Sequence, residues 1–260
     1  MSILDKIFDY KKDELAHYKR QARLEDLRSK VRDHAYRPLP LRRRLEDSAA
    51  PFAVIAEIKQ RSPSKGLLRE NFDPPAIARD YEEHGAAALS VLTDEHFFGG
   101  HLDHLRQVRA TVDLPLLRKD FVWDPYQIYA AREAGADAIL LIAAMLGRSQ
   151  IEDLEGLAEE LNLSVLLEVH DAAEADLAAA VGARLVGVNN RDLKTFKVDV
   201  ALSEKLLPRL PAAALKVAES GLDKRETLAR LKAAGIGAFL IGEAFMKAKS
   251  PGSALKELLQ

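Results

Sequence analysis

The stretch "PLLRKDF", residues 115–121, sets Arg118, Lys119 and Asp120 at the end of an apolar run and closes on an aromatic, Phe121. The same arrangement recurs along the chain. "FAVIAEIK" ends in Glu57 and Lys59, "LSVLLEV" carries Glu168, "RLVGVNNR" ends in Asn189 with Arg191 just beyond, and "LKVAES" ends in Glu219 and Ser220. Lysine and glutamate give and take protons, and a charge placed inside a fold must be paired or used. A second kind of ending, "ESG" and "IGE", brings Ser220–Gly221 and Gly242–Glu243 together. Glycine lets an oxyanion come close to backbone N–H groups, which is phosphate-binding chemistry. Tight turns alone would also use these glycines. Ser62, in "QRSPSKG", adds a hydroxyl after the first run.

These groups act together only if the chain gathers their ends. From Phe52 onward, short apolar runs alternate with helical patterns: "FAVIAEI" (52–58), "AALSVLT" (87–93), "LPLLRK" (114–119), "AILLIA" (138–143), "LSVLLEV" (163–169), "RLVGVNN" (184–190), "LKVAES" (215–220) and "AFLIGE" (238–243). Several intervening helices end at a Gly, in "HGA", "AGA", "VGA" or "AGIGA", suited to a left-handed C-cap. Strands apolar on both faces, each followed by a helix, imply a parallel sheet. Eight such units predict an α/β fold, a single (β/α)8 barrel domain over 1–260 with its active site at the C-terminal strand ends. An open doubly wound sheet is the rival, but its usual Gly-rich turn is missing after the first strand. Residues 1–47 differ. Ile3, Leu4, Ile7 and Phe8 recur at helical spacing, a second helical stretch follows around 22–34, and a short piece at 39–47 includes "LRRRL". This segment is too polar to form its own core and is expected to pack on the barrel.

Alternation along a strand assigns each side chain a face. Glu57 and Lys59 share one side, the barrel mouth, while Ile55 and Ile58 are assigned to the helix side. Lys119 points inward above Leu117, with Phe121 on the same side, and Arg118 and Asp120 point outward into structural pairs. A purely structural ion pair among Glu57, Lys59, Lys119 and Glu168 is the competing account. Four charges on one rim argue against it, since an apolar interior would be no less stable.

Composition narrows the class. The 260 residues are 48% hydrophobic and 30% charged, with net charge −2, so no electrostatic footprint for nucleic acid is present. The chain has no cysteine, which excludes disulfides, Cys-ligated zinc and thiolate nucleophiles. No apolar run reaches a membrane span, and the acidic N-terminal stretch is not expected to be a signal peptide.

The motifs "AEIKQRSPSKG", "SVLTDEHFFGG", "LLRKDF", "LLEVHD", "GVNNRDL", "VAESG" and "LIGEAFM" appear in this order on the expected rim. In them, and from "ILDKI" to its end, the chain resembles indole-3-glycerol-phosphate synthase, a carboxy-lyase of tryptophan biosynthesis. The resemblance implies ring closure, decarboxylation and dehydration of 1-(2-carboxyphenylamino)-1-deoxyribulose 5-phosphate to indole-3-glycerol phosphate, with no metal or organic cofactor. It implies that Lys119 is a general acid at the carbonyl and Glu168 its acid/base partner in dehydration. Lys59 would bind the substrate carboxylate or act as a second acid, Glu57 would orient Lys59 and Lys119, and Asn189 would hydrogen-bond the substrate chain. Ser62 and Glu219 would bind substrate, and Arg191 would support Glu168 or the substrate. Phe98, Phe121, Leu140 and Leu193 would line the anthranilate pocket, although plain core packing would also explain them. Ser220, Gly221, Gly242 and Glu243 would cradle phosphate through backbone N–H groups, the Glu243 side chain turning away. His170 and Trp123 receive no role; His170 is expected to pack or face solvent. A cytoplasmic monomer acting on a phosphorylated small molecule is expected, without nucleic-acid or membrane partners. The alternatives are another phosphate-binding barrel such as phosphoribosylanthranilate isomerase, the tryptophan synthase α chain, a barrel kept as a scaffold, or an altered activity on the same scaffold. The first usually employs a Cys, and the paired lysines speak against the second.

Overall fold

A computed structural model describes residues 3–260, apart from the side chain of Asp5. Eight parallel strands close into a barrel: β1 (Ala53–Ile58), β2 (Ala88–Leu92), β3 (Leu116–Lys119), β4 (Ala138–Ile142), β5 (Ser164–Val169), β6 (Leu185–Asn189), β7 (Leu215–Glu219) and β8 (Ala238–Ile241). All eight fall inside the apolar runs read from sequence, and helices link them, so the fold is a (β/α)8 barrel. Gly182 and Gly235 end their helices at φ +72° and +117°, the left-handed caps expected of them. A short antiparallel hairpin, Arg61–Ser62 with Gly66–Leu67, follows β1 and was not foreseen.

Two apolar layers follow from strand alternation. Val54, Ala56 and Ile58 join the outer layer against the helices, with Ile77, Tyr81 and Leu105. Ile55, Leu117, Leu140, Leu166, Val217 and Leu240 fill the barrel interior. Ile55 is therefore not on the helix side. It has the parity of Glu57 and Lys59, and shares their face one layer deeper. The interior is closed from below by α3 (Leu41–Glu46), whose Leu41 and Leu45 belong to the same cluster. The arginines between them stay outside, where Arg42 pairs with Glu46 and Arg43 with Asp47.

The remaining extension, α1 (Ile3–Gln21) and α2 (Leu24–Arg32), is fastened to the barrel at both ends. Below, Asp137 accepts from the Leu39 and Leu116 N–H groups, each at 2.6 Å, and from Arg109 at 3.1 Å. Above, Lys11 of α1 is 2% exposed and reaches Asp120 Oδ1 at 2.9 Å and Asp94 Oδ2 at 3.7 Å, with Glu14 beside it. Asp120 Oδ2 accepts from Thr93 Oγ1 at 2.6 Å and Arg118 Nη2 at 2.9 Å. Arg118 and Asp120 thus form a structural pair, Arg118 outside the mouth as alternation implied, while Asp120 also borders the cavity over the strand ends. Burial would raise the Asp120 pKa, but Lys11 and Arg118 hold it well below the carboxylate range.

Removing this buried cation leaves Asp94 without its charged partner and Asp120 with Arg118 alone. Lys11→Met is expected to lower the unfolding free energy by about 3 kcal/mol, seen as a lower urea midpoint at unchanged slope. A loss under about 0.5 kcal/mol would show that this contact does not hold α1.

Candidate active site

The strand register assembles the site. It sets Leu92 beside Lys119, Ile142 beside Glu168, and Glu219 between Asn189 and Leu240. Above this layer opens a cavity of about 570 Å³, lined by every site residue read from the sequence. Glu57, Lys59, Lys119, Glu168, Asn189 and Glu219 form its floor. Phe98, Phe121, Leu140 and Leu193 supply apolar wall, the two rings lying 6.2 Å apart at 40°. Ser62, Ser220, Gly221, Gly242, Glu243 and Arg191 lie on the loops, and Ile3, Leu4 and Ile7 of α1 reach over the mouth. The extension therefore contributes to the cavity as well as packing on the barrel.

Lys119 stands at the centre of the charges. Its Nζ is 3.0 Å from Glu168 Oε2 and 3.6 Å from Glu219 Oε2, with its side chain 15% exposed. Burial pulls its pKa down, but Glu168, Glu219 and Glu57 together hold it above the ordinary lysine value. Lys119 is thus a fixed ammonium. Lys59 pairs with Glu57 Oε1.

The two other glutamates divide. Burial would raise the pKa of Glu168, yet Lys119 and His170 hold it well below the ordinary value, so it is an anion. Glu219 is pushed up to about 8 by burial and by Glu168, against the pull of Lys119. Around neutrality Glu219 therefore carries a proton while Glu168 does not. Two carboxyls against one ammonium settle as one anion and one acid. The space for Glu219 comes from Gly187, since a Cβ there would collide with its Oε1. Gly242 likewise lies against the Glu57 carboxylate, so this glycine is also required by packing.

A hydrogen-bond chain leads from the anion to the loops. Asn189 Nδ2 donates to Glu168 Oε1 at 3.3 Å, and Asn189 Oδ1 accepts from Ser220 Oγ at 2.9 Å and from the Arg191 N–H at 3.1 Å. Ser220 is held at φ +67° and Gly221 at +74°. A left-handed serine is strained and persists only where its surroundings fix it. Ser62 Oγ is buried without a hydrogen-bond partner, a hydroxyl unsatisfied within the cavity wall.

Three sequence expectations need correction. Arg191 is not placed to support Glu168: its guanidinium meets Glu243 Oε2 at 3.0 Å and Ser64 Oγ at 3.4 Å. Glu243 does not turn away but stays at the cavity edge, bridging Arg191 and Lys247, the latter at 2.6 Å. Burial would raise the Glu243 pKa, but Lys247, Arg191 and Lys65 lower it, so its charge is neutralised by neighbours. Lys65 and Lys247 themselves line the cavity, two cations the motif reading passed over. Third, His170 neither faces solvent nor merely packs, because its ring lies against both Glu168 and Glu174. Trp123 packs edge-on against Phe8 of α1 at 5.1 Å.

The comparisons with known proteins agree with this geometry. The family model described as indole-3-glycerol phosphate synthase matches residues 4–258. The protein of that name from Variovorax paradoxus (strain S110) is 50% identical over 266 aligned positions, covering 99% of each chain. Its namesake from Albidiferax ferrireducens is 50% identical over 257, covering 98% of this chain and 97% of its own. Among solved structures, thiamine phosphate pyrophosphorylase from Pyrococcus furiosus superposes with a TM-score of 0.60 at 18% identity, over 83% of this chain and 95% of its own. A mandelate oxidase variant gives 0.58 at 15% identity, over 82% of this chain and 71% of its own. These two share the barrel alone. With a family match across nearly its whole length and relatives at half identity, the chain belongs to the indole-3-glycerol phosphate synthase family.

Proposed function

We propose that the protein catalyses the family reaction, closing the pyrrole ring of 1-(2-carboxyphenylamino)-1-deoxyribulose 5-phosphate with loss of carbon dioxide and water. The observation that carries this reading is the floor of the cavity, where the Lys119 Nζ lies 3.0 Å from Glu168 and 3.6 Å from Glu219. The reaction needs a proton donor at the carbonyl and a base for the dehydration. The ring carbon bearing the carboxylate attacks the ketone, and Lys119 polarises and protonates the carbonyl oxygen, where negative charge develops. Carbon dioxide then leaves and its bonding electrons restore the aromatic ring. The new hydroxyl departs as water once an acid protonates it, and Glu168 takes the adjacent carbon-bound proton to complete the indole. Glu219, protonated near neutrality, is a second proton source beside Lys119.

Substrate binding divides along the same lines. Phe98, Phe121, Leu140 and Leu193 would hold the anthranilate ring, and Lys59, oriented by Glu57, would meet its carboxylate. Asn189 and Ser62 would hydrogen-bond the sugar chain. Backbone N–H groups of Ser220, Gly221, Gly242 and Glu243 would receive the phosphate, with Arg191, Lys65 and Lys247 offsetting both its charge and that of Glu243. Every step is a proton transfer or an electron shift within the substrate, so the chemistry calls on no metal or organic cofactor. We place the protein in the cytoplasm as a monomer. Mixing it with the carboxyphenylamino-deoxyribulose phosphate is expected to produce indole fluorescence that grows with enzyme concentration; absence of that signal in folded protein would refute the assignment.

A further inference from the structure

His170 is a second cation against Glu168, and the steps above give it no part. Its Nε2 is 3.1 Å from Glu168 Oε1 and its Nδ1 is 3.1 Å from Glu174 Oε2, with the side chain 10% exposed. An imidazole that meets a carboxylate oxygen at each nitrogen carries a proton on both. Burial disfavours that charge, but Glu168 and Glu174 outweigh it and raise the pKa to about 10. The Nε2–H is not aligned for a hydrogen bond, so its contact with Glu168 is one of charge.

Glu174 is itself anchored. It lies in the first turn of the helix Ala172–Val181, and its Oε2 also accepts the His170 N–H at 2.7 Å. Asp171 caps that helix by accepting the Glu174 N–H at 2.9 Å. Four groups face Glu168: Lys119 from β3, Asn189 from β6, Glu219 from β7 and His170 from the end of its own strand. When Lys119 turns to a substrate carbonyl, Glu168 loses its 3.0 Å partner while remaining buried beside Glu219. A carboxylate so placed would take up a proton and cease to be a base.

We propose that His170 is a positioning residue which, clamped by Glu174, keeps Glu168 an anion while Lys119 is engaged with the substrate. The proposal rests on the reading of Glu168 as the acid/base partner. His170→Asn removes the cation and keeps a hydrogen-bonding side chain, and Glu174→Gln weakens the clamp. In His170→Asn, the acid limb of the kcat profile is expected to move up by about 1 pH unit. KM should be unchanged, and activity should recover toward the parent level at high pH. Glu174→Gln should move the limb the same way by less. A merely structural role would lower kcat by one factor at every pH, and an unmoved limb in both variants overturns the proposal. Should His170→Asn not fold, the limb of Glu174→Gln decides. Long-range 1H–15N spectra of the parent protein give a readout that needs no turnover: His170 should be an imidazolium at about pH 8, where an ordinary histidine is neutral. A neutral ring there overturns the proposal, whereas a charged ring without indole formation would count against the functional reading alone.

Discussion

Lys119→Ala is expected to lower kcat by at least about 1,000-fold, combining the loss of a positioned proton donor with the loss of charge stabilisation at the carbonyl oxygen. The expectation rests on what surrounds the vacated position. Glu57, Glu168 and Glu219 all act on the Lys119 ammonium, and without it the three carboxyls keep two cations, Lys59 already paired with Glu57 and His170 against Glu168. Glu168 and Glu219 would then rise in pKa and offer no positive charge to a developing oxyanion. The groups proposed to receive the phosphate lie on the loops after β7 and β8, away from the deletion, so KM should change less than kcat. Folding should survive, since Glu168 keeps His170 as a charged partner and Glu57 keeps Lys59. Rapid-mixing fluorescence with a circular-dichroism control reads both. Near-parent kcat in folded Lys119→Ala would move the principal acid to Lys59 or Glu219.

The contacts of the floor divide into those a sequence can carry and those it cannot. Lys119 and Glu168 were legible because a strand has a period of two and the barrel buries one face. Once Leu117 and Leu166 are interior, the charged residues two positions on must line the mouth. The same rule assigns Ile55 to the interior, with Glu57, and misassigning it was an error of parity rather than a missing signal. Lys11 is different. A lysine on an amphipathic helix reads as solvated, and its partners Asp94 and Asp120 stand 83 and 109 positions away on separate strand ends. Only closure of the barrel joins them. Arg191 and Glu243, 52 apart, are a similar case. His170 lies between. The local pattern Asp171-x-x-Glu174 is a helix N-terminal signature whose first-turn acid reaches back toward the preceding residues, and here it reaches His170. That pattern, placed directly after a strand bearing Glu168, was a usable pointer to a clamped histidine.

Glu168→Gln is the second substitution expected to be severe, with kcat lowered by about 100- to 10,000-fold and phosphate affinity largely kept. Glutamine accepts a hydrogen bond but takes no proton, so the step that draws a carbon-bound proton has no base. The substitution also reassigns the neighbours. Glu219 stands at about 8 because of burial and the Glu168 charge, with Lys119 pulling the other way. Removing that charge leaves burial, the largest cause, opposed by Lys119, so Glu219 should fall from its raised value toward the ordinary carboxylate range and become the ion-pair partner of Lys119. The variant would exchange a neutral acid for an anion at that point and lose a proton donor along with the base. This shift has a measurable sign in stability. A carboxyl whose folded pKa lies above its unfolded value stabilises fully below the unfolded value, and that contribution drains away as pH rises to the folded one. For the parent protein the window runs from the ordinary glutamate value of 4.5 to about 8. Glu168 has the opposite sign, its depressed pKa giving stability at neutral pH that is lost on acidification below the ordinary value. Glu168→Gln should therefore flatten both slopes at once, the acid one by deletion and the alkaline one by release of Glu219. Urea midpoints from about pH 2 to pH 9 would show it. A variant that keeps the parent's fall in stability between 4.5 and about 8 would mean that burial alone, without Glu168, holds the proton on Glu219.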